Sequence, residues 1–175
     1  MPDMPEYRSL GGILSAQMDD YRLQLALPRD AAAIAALSRD LIEAGLAPTW
    51  TADRVLCHIK RTDSVVLTAR FDGLLAAFAI MQFGEDRAHL NLLGVASLHQ
   101  RHGLGRLLMG WLHESAVVAG TFTVGLELRA NNIGARRFYE SMRYQATDLR
   151  RGYYQGIEDA VRMTCDLRVN RGLTA

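Results

Sequence analysis

Apolar and polar residues alternate over residues 21–27, the two-residue period of a half-buried strand. The period then lengthens. Asp30 stands at an N-cap position, Ile34, Leu37 and Leu41 follow at helical spacing, and Gly45 stops the run. Residues 46–50 read as loop, and Thr51 caps a second helix whose inward positions are Val55, Leu56 and Ile59. Residues 64–69 and 74–83 are both strand-like, and Asp72-Gly73 between them is a tight-turn signal, so they predict a hairpin. Residues 88–95 predict a fourth strand. Leu104, Leu107, Leu108, Trp111 and Leu112 then form one helical stripe, which Gly120 ends. A fifth strand is expected over residues 123–129. Asn131 or Asn132 caps a helix with Ala135, Phe138 and Met142 inward, and residues 144–149 and 159–167 are two closing strands. The expected order is β-α-α-β-β-β-α-β-α-β-β. That is an α/β (α+β) domain: a mixed, mostly antiparallel sheet of about seven strands covered by about four helices.

Length and composition narrow the function classes. With 175 residues the chain is the size of one domain, placed at residues 21–168 between a loose extension over 1–20 and a tail over 169–175. Twenty basic against nineteen acidic side chains give a net charge of +1, which offers no footprint for nucleic acid or a membrane surface. The longest apolar run, residues 74–81, falls far short of the roughly 20 residues that cross a bilayer. The first residues lack a basic stretch followed by an apolar core, so no secretory signal is expected and the cytoplasm is the default. Cys57 and Cys165 are then expected to stay reduced, and Cys57-His58 lacks the partners of a zinc site, so no metal is expected. Monomer and homodimer are equally compatible with the sequence.

Residues 95–106 carry the most chemistry. A strand enters, a turn with Gly103 and Gly105 follows, and an amphipathic helix leaves. The first amides of a helix have no acceptor within it and lie at the positive end of its dipole, so a pyrophosphate suits them. Glycine lets backbone and phosphate approach, and Arg101 and Arg106 can add charge-assisted hydrogen bonds. Taken alone, the two glycines serve equally well to shape a strand-to-helix turn. A dinucleotide fingerprint is disfavoured, because Leu108 occupies its third glycine position.

Gln100-Arg101-His102-Gly103-Leu104-Gly105 matches the Q/R-x-x-G-x-G signature of the GNAT acetyltransferase superfamily, and the segment from Asn132 through Ala135 to Tyr139 matches its N-x-x-A-x-x-x-Y pattern. The two motifs stand at the expected separation, and roughly residues 25–167 resemble one GNAT domain. Leu126-Glu127-Leu128-Arg129-Ala130-Asn131-Asn132 and Arg151-Gly152-Tyr153-Tyr154 are most similar to the ribosomal-protein-alanine N-acetyltransferase branch, which acetylates a protein's N-terminal amine. The resemblance implies acetyl-CoA as co-substrate, held by Val95, Gln100, Arg101, His102, Gly103, Leu104, Gly105, Arg106, Asn132 and Ala135. It implies that the pantetheine arm lies where strands four and five splay apart, with the amide of Val95 or a neighbour facing the thioester oxygen. Three departures stand out: only Gln155-Gly156-Ile157 separates Tyr154 from Glu158, Arg143 replaces the glycine expected after the last long helix, and Ser97 stands where proline is common.

Glu127 is the candidate base by that resemblance. Read from alternation alone it shares a face with Gly125 and Arg129, where a salt bridge to Arg129 accounts for it as well. His89 is the rival base, with an ordinary polar strand position as its plainer explanation. Tyr139 is the candidate acid, seven residues after Asn132 on the same helical face, and an amphipathic core tyrosine beside Phe138 is the alternative. Asn132 serves cofactor binding, helix capping or both. Trp50, His89, Tyr153 and Tyr154 are candidate acceptor contacts. The leading expectation is acetyl transfer from acetyl-CoA to a primary amine, with a protein N-terminus as acceptor. A small amine, amino acid or antibiotic is the second possibility, and a non-catalytic acyl-CoA sensor the third.

Overall fold

A computed structural model describes residues 20–170. Residues 1–19 of the expected extension and residues 171–175 of the expected tail lie outside the described residues. Tyr21–Leu25 (β1), Ser64–Phe71 (β2), Leu74–Phe83 (β3), Arg87–Val95 (β4), Thr123–Arg129 (β5), Gln145–Tyr154 (β6) and Glu158–Asp166 (β7) form one sheet in the order β1-β2-β3-β4-β5-β7-β6. Every neighbouring pair is antiparallel except β4 with β5. The helices are Ala31–Leu41 (α1), Ala52–Lys60 (α2), Leu104–Val118 (α3), Ile133–Ser141 (α4) and a single turn, Leu167–Asn170 (α5). None of the described helices is long and apolar enough to cross a membrane.

Two cores flank the sheet. On one face, Leu104, Leu108 and Leu112 of α3 and Tyr139 of α4 pack on Leu90, Leu126 and Met163. On the other, Ile34 of α1 and Val55 of α2 pack with Trp50 on Phe78, Ile80 and Leu92. Leu90 and Leu92 belong to opposite cores although strand alternation would put them on one face. A bulge explains it: Met81 pairs with Leu90 and Ile80 with Leu92, so Asn91 is the extra residue and the strand's faces exchange there.

Local chemistry accounts for most boundaries. Asp72 and Gly73 both adopt positive φ, at 48° and 78°, which is the turn that matches the twist of a hairpin. The Thr51 hydroxyl accepts from the Arg54 amide at 3.2 Å, and of the two asparagines it is Asn132 that caps α4, accepting from the Ala135 amide at 3.0 Å. Arg143 takes the left-handed turn in place of glycine, with φ 64°. Its neighbour Tyr144 donates to the Tyr139 carbonyl five residues back, the closure characteristic of a helix end with a left-handed residue. Cys57 is exposed, Cys165 is buried with its thiol 3.7 Å from the Met142 carbonyl, and no disulfide joins them.

Some expectations need correction. Asp30 does not cap α1: a 3₁₀ turn over Pro28–Asp30 precedes the helix, and the carboxylate instead accepts from the Leu27 amide and pairs with Arg70 of β2. The first strand stops at Leu25 because Leu27 is drawn into that turn. The first helix stops at Leu41, before Gly45. The sixth strand spans Gln145–Tyr154 rather than residues 144–149. As the sheet's edge it is mostly exposed, so it has no need of the apolar alternation that strand recognition relies on.

Candidate active site

β4 and β5 pair in parallel only from Arg87↔Thr123 to Leu90↔Leu126, after which no ladder joins them. The bulge at Asn91 turns β4 away at that point. A cleft of about 860 Å³ opens there, bounded by Gly94 and Val95 of β4, Glu127 of β5, and Asn132, Ala135 and Tyr139 from the start and middle of α4. Because the Ala96 amide donates to the Ala76 carbonyl on β3, alternation aims the amides of Leu93 and Val95 at the gap.

One arm of the site is the start of α3. Gly103 sits at φ 86°, a left-handed conformation that favours glycine, and Arg101 before it also has positive φ. The helical ladder begins with Leu107 donating to Gly103, and the amides of Gly103, Leu104, Gly105 and Arg106 have no protein acceptor among the described residues. These are the donors an anion would meet. Leu104 offers only its amide, since its side chain is 1% exposed in the core. Gly105 has a different reason to be glycine: a Cβ there would stand 3.2 Å from the Phe138 ring of α4. Gln100 donates to the Val95 carbonyl at 3.0 Å and so ties the turn to the strand end. Arg101 and His102 are exposed, whereas Arg106 is drawn to the Ser141 hydroxyl at 2.9 Å. The side chain of Asn132 is committed to its cap, and both Asn132 and Ala135 border the cleft.

The other arm lies on the α1–α2 face. Glu127 does not pair with Arg129. Its Oε1 accepts from Arg162 Nε at 2.8 Å, and its Oε2 lies 3.0 Å from His89 Nε2, with the Glu127 side chain only 5% exposed. Burial pushes its carboxyl upward, but the hydrogen bonds from His89 and Arg162 outweigh burial and hold it at about 2. Tyr139 is buried beside Phe138 and Tyr144 yet borders the cleft, and burial pushes its phenol well above the usual range, so it stays protonated. Arg129 closes the cleft's end: it pairs with Glu158 at 3.1 Å and donates to the carbonyls of Ile42 and Ala44 at 2.8 Å.

The loop between α1 and α2 is folded around a buried anion. Glu43 is 6% exposed and accepts from the amides of Thr49 and Trp50 and the hydroxyls of Ser38 and Thr49. Gln155, at the turn between β6 and β7, bonds the Ala47 amide at 3.1 Å and its carbonyl at 2.7 Å. Trp50 lies in the core beneath the Arg54 guanidinium, 4.0 Å from the ring centre, and both border the cleft. Tyr153 and Tyr154 stack edge to face on the same side; burial pushes Tyr154 up to about 12.

All the candidate residues thus fall on one cleft or on the turn leading from it. Arg162, Glu43 and Asn91 were not singled out from sequence, and Gln155 was noted only as part of a short turn. The partnership of Glu127 with Arg162 follows from the β5–β7 register, in which the two are directly opposite, and strand order is not written in local pattern. Glu43 and Asn91, an acid and an amide in otherwise ordinary loop and strand surroundings, carry no sequence signal.

A sequence model of the Acetyltransferase (GNAT) family matches residues 32–144. The chain is 42% identical over 107 residues to the [Ribosomal protein bS18]-alanine N-acetyltransferase of Salmonella typhimurium, covering 59% of this chain and 71% of the relative. It is 41% identical over 95 residues to the enzyme of the same name from Escherichia coli K12, covering 53% of this chain and 64% of the relative. Among solved structures, the ribosomal-protein-S18-alanine N-acetyltransferase from Escherichia coli superimposes with a TM-score of 0.73 at 29% identity, covering 84% of this chain and 94% of that one. The matched family model spans well over half of the chain, and the splayed strands, glycine turn and capped α4 lie in or beside it: this protein belongs to the GNAT acetyltransferase family and is an N-acetyltransferase.

Proposed function

We propose that the chain transfers the acetyl group of acetyl-CoA to the α-amine of a protein N-terminus, an N-terminal alanine of a ribosomal protein above all. The observation that carries the reading is the gap after Leu90 and Leu126, which joins the free amides of α3 on one side of the sheet to the Glu127 face on the other. A thioester arm threading that gap from the α3 side would meet an amine arriving from the α1–α2 side. The pyrophosphate would take the amides of Gly103 to Arg106, and the thioester oxygen the amide of Val95 or Leu93. The amine nitrogen then attacks the carbonyl carbon, the carbon–sulfur bond breaks, and the thiolate takes its proton from Tyr139. Identity to the alanine N-acetyltransferases supports the acceptor class, and a ribosomal acceptor would put the chain in the cytoplasm.

An α-amine with a pKa of about 8 is partly neutral at physiological pH, whereas a lysine near ~10.4 is almost wholly charged, so the α-amine asks less of the site. The test is thiol release from acetyl-CoA with three acceptors: a peptide beginning with alanine, the same peptide blocked at its N-terminus but carrying free lysines, and a panel of small amines and aminoglycosides. Turnover confined to the unblocked peptide is expected. Turnover on small amines without peptide turnover overturns the acceptor assignment in favour of a small-molecule enzyme. Tight acetyl-CoA binding with no acceptor-dependent thiol release overturns it in favour of a sensor.

A further inference from the structure

Glu127 and His89, rivals when read from the sequence, are partners in the fold. They stand at the apex of the gap: Glu127 is the first residue of β5 past the last paired position, and His89 immediately precedes that position on β4. Glu127 is poorly placed to take a proton itself. Its side chain is 5% exposed, and both its oxygens are engaged, one by Arg162 and one by His89. Those partners keep it ionised down to about 2, so at neutral pH it acts as a fixed anion. The His89 side chain is 40% exposed and borders the cleft, so it joins the buried carboxylate to water.

The orientation is specific. A carboxylate on Nε2 selects the tautomer that carries its hydrogen there, which leaves the Nδ1 lone pair as acceptor. The residue opposite His89 on β5 is Gly125, and a Cβ there would already stand 3.9 Å from Nδ1. With glycine in that position no side chain of residue 125 lies against the nitrogen.

We propose that His89, oriented by Glu127, accepts the proton that the acceptor amine must lose and passes it to solvent. This rests on the N-acetyltransferase reading above. An ammonium acceptor has three N–H bonds and the amide product has one. One proton goes to His89 and then to water; the other restores Tyr139 after its hydroxyl has given a proton to the departing thiolate, whose electron pair comes from the broken carbon–sulfur bond. Glu127 of β5 and Arg162 of β7 face the imidazole directly or through the carboxylate. Further along the cleft stand Arg129 of β5, Tyr153 and Tyr154 of β6 and Arg54 of α2, with Glu43 turned into its own loop.

The experiment is the pH profile of kcat/KM for wild type, His89→Gln and His89→Ala, with an unblocked alanine peptide and acetyl-CoA. Because His89 takes the ammonium's own proton, the reacting complex carries that proton on one partner or the other, so log(kcat/KM) for wild type is expected to level off before pH reaches the amine's pKa of about 8. In the variants, which need the amine neutral beforehand, log(kcat/KM) keeps rising with a slope of one up to about 8 and kcat/KM drops by roughly 10²-fold, while acetyl-CoA affinity stays at the wild-type value. Retained affinity separates a lost proton acceptor from a damaged fold, and a variant that loses it is set aside for the other. Variants that level off where the wild type does, or a kcat/KM that does not fall, overturn the proposal. Absence of turnover by wild type with every amine overturns the functional reading itself, and the role of His89 with it.

Discussion

The hydroxyl of Tyr139 is the only polar atom on a ring otherwise packed between Phe138 and Tyr144, in a residue that borders the cleft. Removing that oxygen leaves the packing in place. Tyr139→Phe is therefore expected to lower kcat by about 10²-fold with little change in acetyl-CoA affinity, read by steady-state kinetics and by titration of the cofactor. Equal loss in both would mean that the ring position, not the hydroxyl, is what matters. Gly103 is constrained differently, by a φ of 86°. Gly103→Asp adds about 1–2 kcal/mol of left-handed strain and a negative charge at the end of α3 that would meet phosphate. Acetyl-CoA affinity is expected to fall at least about tenfold, whereas Gly103→Asn, uncharged and tolerant of that conformation, loses less. Equal losses in the two variants would remove the electrostatic part of the account.

Among the elements, the loop between α1 and α2 shows how the side of the cleft proposed for the acceptor is held. It has no regular structure, yet Glu43 organises it from inside, and Arg129 and Gln155 pin it from β5 and from the β6–β7 turn. Hydrogen bonds from a charged donor contribute about 1.5–3 kcal/mol each. Arg129→Met keeps the length of the side chain but gives up two carbonyl bonds and the Glu158 pair. The expected outcome is a KM for peptide raised severalfold and a stability loss of about 2 kcal/mol by urea unfolding, with acetyl-CoA affinity unchanged. An unchanged peptide KM would mean that the loop's position is set elsewhere. The short Gln155-Gly156-Ile157 turn, a departure from the related branch at the level of sequence, becomes a clasp in the fold because Gln155 reaches Ala47 across the cleft.

For the molecule as a whole, acid should act in two successive windows. Burial holds His113, 2.8 Å from the Tyr144 hydroxyl, at about 4 against an ordinary 6.5, with Glu114 opposing only weakly. Below about 6.5 the unfolded chain takes up a proton that the folded one refuses, so stability falls as pH drops from about 6.5 to about 4, by on the order of 3 kcal/mol. Glu127 acts lower: its contribution is complete above about 4.5 and is lost as pH falls toward about 2. Urea unfolding of wild type and His113→Gln between neutral pH and pH ~4 tests the first window. The variant should show a flatter dependence, and parallel curves would assign the acid sensitivity to other groups. Most of the fold that produces this behaviour was legible in the residues, because hydrophobic period, turn glycines and caps act over a few neighbours. The strand count, the Asp72-Gly73 hairpin, the Thr51 and Asn132 caps and the glycine turn at the start of α3 are all of that kind. The motif residues of α3 and α4 were legible for the same reason, since their spacing lies along the chain. Sheet order, the bulge at Asn91 and the register that sets Arg162 opposite Glu127 depend on contacts between distant segments, which no local pattern encodes. So the chain's own letters sufficed to mark the strand–turn–helix at the start of α3. It took the folding of β4, β5 and β7 side by side to turn two competing candidates for one proton into a carboxylate and an imidazole 3.0 Å apart.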